Sequence, residues 1–186
     1  MNIIVPFLIF TLAFIIHKYL IYPLELFFLN PKSIEHASFL YLPHAVRIIT
    51  YYLMGPIVLI PIFLSQCFTF LVFNDAELFD TLSLSTISTL SIFFGFALYD
   101  LIKEDKRFNI YKAVDWKKII IIGFFVSIFN SSLSSLYLLK LNGLENFYVT
   151  LNFTYLFGDV LGLVFGMILF ILGMKIFARW RNSDSL

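Results

Sequence analysis

The sequence predicts an all-α membrane protein, one integral domain over residues 1–186 folded as a bundle of about six transmembrane helices. Two observations carry that prediction. The chain is 60% hydrophobic and only 13% charged, more apolar surface than a soluble domain of this size buries. Its apolar residues also fall in continuous runs that approach or exceed the roughly 20 residues a helix needs to cross a bilayer. A transmembrane β-barrel would alternate in segments of about ten residues instead.

The segments run at 3–22, 39–53, 55–73, 82–102, 118–139 and 149–177. The first, MNIIVPFLIFTLAFIIHKYL, has no basic start and no small-residue cleavage site, so it reads as a retained helix. His17 and Lys18 are expected to snorkel at its end, and His36 to lie in the connection over 23–38. The second segment is short, and Pro43 suits its first helical turn. It either crosses with its neighbours' help or is a half-helix inside the bundle, because irregular backbone at membrane depth must be covered by protein. Only Met54-Gly55-Pro56 separates it from the third.

Charge orients the bundle. Residues 103–118 hold six of the thirteen Lys and Arg residues, and Lys175, Arg179 and Arg181 follow the last segment. Residues 74–80 are purely acidic, and 140–146 carry one basic residue. The positive-inside rule puts 103–118 and the C-terminus in the cytoplasm, and six crossings put the N-terminus there too. A net charge of +1 implies no nucleic-acid partner. The single cysteine, Cys67, excludes an internal disulfide and a cysteine-cluster metal site. No metal set and no cofactor motif stands out.

YLPHAVRIITYYLMGP, residues 41–56, places His44 and Arg47 where lipid would be. Arg47 lies roughly 12 Å below the outer end of its segment, and Asp159 roughly 15 Å below the outer end of the sixth. An unpaired charge at that depth costs from about 2.5 to more than 10 kcal/mol. The matched depths therefore predict that Arg47 and Asp159 pair or share a cavity, with His44 one turn outward on the same face. Other polar residues gather in the same outer half: Gln66, the TLSLSTISTLS run from Thr81, NSSLSSLY from Asn130, and Asn152, Thr154 and Tyr155. A cavity open to the outer face and floored by Arg47 and Asp159 accounts for them. Serine and threonine hydroxyls bonded to their own helix backbone account for part of them equally well. Asn130, Asn152, Tyr155 and Gln66 join Arg47, Asp159 and His44 as candidate ligand-binding residues. Gly158, Gly162 and Gly166 repeat every four residues on one face and read as a helix-packing ridge.

Residues 41–56 resemble the Trp-Pro-Pro-x-Gly opening of bacterial membrane-associated sensor domains of the MASE type, the first such family. FTYLFGDVLGLVFGMILF resembles the closing signature of those domains, and STLSIFFGFALYDLIK is similar to their middle helix. Pro43, Gly55, Gly158, Asp159 and Gly162 match the pattern. Tyr41-Leu42 stands where the family prefers Trp-Pro, and Ala45 where it prefers Gly. His44 and Arg47 rest on the depth argument alone. The resemblance implies a small-signal sensor in the bacterial inner membrane. The family fuses this module to kinase or cyclase domains, and no such domain follows here. Action through a membrane or cytoplasmic protein partner is therefore expected. The alternatives are a carrier, or the substrate-binding subunit of an energy-coupling-factor type importer, and a non-catalytic structural subunit of a membrane complex. An enzyme is disfavoured, because no nucleophile–base pair is evident.

Overall fold

The computed structural model describes residues 4–28, 38–74, 76–103, 115–142 and 148–183. Those residues form helices and short connections, and the chain is an all-α membrane protein. Five helices are long and apolar enough to cross a bilayer. They are α1 (Ile4–Phe28), α3 (Pro56–Phe73), α4 (Leu78–Lys103), α5 (Trp116–Asn142) and α6 (Tyr148–Ser183). Between α1 and α3 lies the short α2 (Leu42–Met54).

The termini follow local chemistry. Pro43 sits in the first turn of α2, where its missing N–H is not needed. Gly55 ends α2 at φ 77°, a left-handed conformation that glycine adopts at no steric cost, and Pro56 then starts α3. Asp115 caps α5, its Oδ1 accepting from the backbone N–H of Lys117 and Lys118 at 3.1 and 3.3 Å.

α1 is longer than the first predicted segment and is not uniform. It widens into a π-helical turn at His17–Ile21, closed by the Tyr22 N–H on the His17 carbonyl. Pro23 follows at once. It donates no hydrogen bond, and its ring would clash with a carbonyl four residues back in a regular helix. The wider turn relieves both problems and carries the helix to Phe28. Residues 23–28 are therefore helix, not connection. His36 lies outside the described residues, as does residue 110 of the basic 103–118 stretch.

The helices form a closed ring in the order α1, α3, α4, α5, α6, α2, with α2 also touching α4 and α5. α2 is the most interior of them: nine of its thirteen residues are buried. Its thirteen residues span only about 20 Å, against the roughly 30 Å hydrocarbon core. Of the two alternatives, the half-helix holds. Residues 39–41 are not helical, and Tyr41 N–H bonds the Gly158 carbonyl of α6 at 3.0 Å, ten residues below the Tyr148 start of that helix. At the other end Tyr52 Oη accepts from Asp115 N–H at the start of α5. α2 thus fills the interior only at the end marked by Gly55.

That half is closed by apolar packing. Ile48, Ile62, Ile92, Ile119, Ile122 and Val126 are each 0% exposed. The outward faces of the long helices carry exposed Leu8, Leu64, Phe94, Ile121 and Ile168, the composition lipid contact requires.

The glycine ridge of α6 receives the non-helical approach to α2. A Cβ on Gly158 would strike the Ser38 carbonyl, one on Gly162 the Tyr41 backbone, and one on Gly166 the Ala45 Cβ. Backbone against backbone leaves no flexible side chain to yield, so hydrogen is required at Gly158 and Gly162.

Candidate functional site

Because α2 occupies half of the ring's interior, the other half is left as a cavity of about 380 Å³. Every helix contributes to its wall. α1 supplies His17 and Lys18, α3 Phe70, α4 Leu84 and Ser88, and α5 Asn130 and Ser134; α6 supplies Tyr155 and Asp159, and Tyr41 and Arg47 come from the start of α2. Lys18 and Asn74 stand at the mouth, bonded to each other at 3.0 Å.

The floor is a buried polar cluster. Arg47 is 2% exposed, His44 0% and Asp159 1%. Arg47 Nη2 donates to His44 Nδ1 at 2.7 Å. The guanidinium has no lone pair to offer, so Nδ1 is the acceptor and the imidazole proton belongs on Nε2. Nε2 then donates to Ser127 Oγ at 3.1 Å, and Ser127 passes its own proton to the Gly123 carbonyl at 2.8 Å. This assignment makes His44 neutral. Asp159 Oδ2 also approaches His44 Nδ1 at 3.3 Å, and with that nitrogen already accepting from Arg47 the approach is a polar contact and not an ion pair.

Asp159 is held by two other groups. Asn130 Nδ2 donates to Oδ2 at 2.8 Å, and Arg47 Nη2 lies 3.7 Å from Oδ1. The second distance is within ion-pair reach but longer than the roughly 2.7–2.9 Å of a charge-assisted hydrogen bond. Arg47 is therefore only partly satisfied. The Tyr41 ring faces its Cζ at 5.7 Å, and its Nε has no partner.

The approach to the floor is fastened by Glu25. Its carboxylate accepts from Ser38 Oγ with both oxygens, at 2.9 and 2.8 Å, and from the N–H of Leu40 and Phe39 at 2.7 and 3.3 Å. One anion thus satisfies two backbone N–H groups and one hydroxyl of a segment that has no helix of its own. His17 Nδ1 donates to the Leu40 carbonyl at 3.1 Å and packs edge-on against Tyr41.

The structure brings Arg47, His44 and Asp159 together, and Asn130 and Tyr155 join the same cavity. Two predicted site residues stand apart. Asn152 faces a separate groove with Ile128, Ser131 and Tyr148, and its amide donates to Tyr148 Oη at 3.2 Å. It lies seven residues from Asp159, almost two turns nearer the start of α6, and lines the groove between α5 and α6 instead of the cavity. Gln66 is 2% exposed and sits behind the wall, donating to Ser88 Oγ at 3.1 Å. His17 is also a correction. It is buried beside Tyr41 and does not reach the bilayer surface, because the π-helical turn rotates it inward. Lys18 alone reaches out to the mouth.

Sequence reasoning missed Glu25 and Tyr41. Glu25 had a signal, a lone carboxylate in an apolar run; its partners, 13 to 15 residues of chain away, had none. The hydroxyls divide between the two expected roles. Ser65, Thr69, Ser91 and Ser131 bond carbonyls of their own helices, whereas Ser88 and Ser134 line the cavity. Among the described residues no group of three or more His, Cys, Asp or Glu side chains can hold a metal ion.

The chain matches no family model, no curated protein and no solved structure.

Proposed function

We propose that this protein is a membrane-embedded receptor for a small polar molecule, a sensor-type module that passes its occupied state to a protein partner. One observation carries the reading: a cavity walled by every helix ends on Arg47, an arginine 2% exposed whose Nε has no partner. A buried cation kept only for packing would have its donors satisfied, since an unmade bond at that depth costs free energy with no return. The bias of Lys and Arg toward 103–118 and the C-terminus supports a bacterial inner-membrane protein with both termini in the cytoplasm. The cavity then opens on the outer side. Cysteines placed by Ile110→Cys and Asp184→Cys, in a Cys67→Ser background, should resist an impermeant thiol reagent in intact cells.

A carrier is the second reading. Against it, the floor continues into the fully buried Ile48, Ile92, Ile119 and Ile122, which close the cavity toward the Gly55 end. Native mass spectrometry of detergent-purified protein tests the receptor reading. A retained small molecule, absent from the stable double variant Arg47→Met with Asp159→Leu, supports it. Native-like signalling by that variant contradicts it and leaves the cluster a purely structural role.

A further inference from the structure

The charges around the cavity narrow the class of molecule it takes. Among the described residues its lining holds two cations, Lys18 at the mouth and Arg47 at the floor, against one anion, Asp159. The sum is +1, and an occupant carrying one negative charge brings these groups to neutrality at a depth where unbalanced charge is costly. The donors point the same way. Asp159 accepts from Asn130 and lies within ion-pair reach of Arg47, so its charge is already countered from within the protein. Arg47 lines the cavity and is only partly satisfied, its Nε lacking a partner.

The walls constrain the rest of the molecule. Phe14, Phe70 and Leu84 lie between mouth and floor, and the Tyr41 ring lies beside Arg47. An anion of high charge with many oxygens, such as a phosphate ester, wants more positive charge than Lys18 and Arg47, offset by Asp159, provide. A compact monoanion with an apolar body fits both ends. We infer that the cavity binds a small monocarboxylate, its carboxylate seated against the Arg47 guanidinium and its apolar body against Phe14 and Phe70. The inference rests on the receptor reading and adds the ligand's chemistry to it.

Matched pairs of probes test it: butyrate against butyramide, and benzoate against benzamide, titrated calorimetrically into the detergent-purified full chain. Acid and amide share shape and differ in charge. The acids should bind, and the amides should bind more weakly by about 10- to 100-fold, the worth of one hydrogen bond to a charged group. Lys18→Gln, at the partly exposed mouth, leaves the fold intact and should weaken acid binding without affecting the amides. Arg47→Gln should abolish the acid preference; if that variant does not fold, the Lys18→Gln comparison decides alone. Amides that bind as well as acids would overturn the carboxylate inference and leave the receptor reading standing. Silence from all four probes would also overturn it, while a molecule retained in native mass spectrometry would still uphold the receptor. Acid binding unchanged in Lys18→Gln and Arg47→Gln would place the carboxylate elsewhere and likewise overturn the inference.

Discussion

The two halves of the bundle are made by the same five long helices and differ in what stands at their centre. Toward Gly55 the centre is α2, and the side chains meeting it are isoleucine, valine and leucine at 0–1% exposure: Ile48, Ile92, Ile119, Ile122, Val126 and Leu163. Toward Asn74 the centre is empty, and the buried residues are Thr81, Ser85, Ser88, Asn130, Ser134 and Asp159. In that half, buried atoms without partners gather: Arg47 Nε, Gln66 Oε1, Thr81 Oγ1, Ser85 Oγ and Ser135 Oγ. The first half is satisfied by packing. The second holds hydrogen-bonding capacity unused. Where a helix is cut short, the interior it vacates must be lined by groups that tolerate water.

The largest expected effect breaks the boundary between the halves. Asp159→Leu leaves Arg47 buried with no other ion-pair partner among the described residues, which should cost about 3–5 kcal/mol of stability in thermal or denaturant unfolding. Adding Arg47→Met should restore most of that loss, because removing both charges at similar volume is often neutral or stabilising.

Ile122→Ala comes next and sharpens the contrast. A cavity in the packed half should cost about 2–5 kcal/mol, yet the variant should still retain any ligand that native mass spectrometry detects. Gly162→Ala places a Cβ against the Tyr41 backbone and should cost about 1–3 kcal/mol, with the start of α2 displaced from the floor. Binding should therefore weaken in Gly162→Ala and hold in Ile122→Ala at comparable loss of stability.

The smallest effect is expected at Ser85. Its hydroxyl has no partner, so Ser85→Ala removes a buried polar atom without breaking a bond. Stability should stay the same or rise by up to about 1 kcal/mol, where Ser127→Ala, which breaks the His44 Nε2 contact, should lower it.

Much of this contrast was legible in the sequence. The apolar runs define the crossings, and the matched depths of Arg47 and Asp159 bring the pair together before any contact is known. The fourth helix turns from polar to apolar along its length and the fifth from apolar to polar, and that gradient separates the two halves. Three features were not legible. Whether residues 39–53 cross or stop midway depends on the Tyr41 N–H finding the Gly158 carbonyl, a contact between segments more than a hundred residues apart. The inward turn of His17 depends on Pro23 widening the helix before it. The faces of Asn152 and Gln66 depend on how α3 and α6 rotate about their axes, and both helices are too uniformly apolar for periodicity to set that rotation.

The central claim is that one half of the interior is a wet cavity open at the Lys18–Asn74 end and the other a closed apolar core. Thiol accessibility measures it directly. Ser134→Cys and Ile122→Cys, each in a Cys67→Ser background, are exposed to a charged, membrane-impermeant thiol reagent in intact cells. The account predicts that the cysteine at 134 reacts and the one at 122 does not. Equal reactivity at both positions, or reaction at 122 alone, would contradict it.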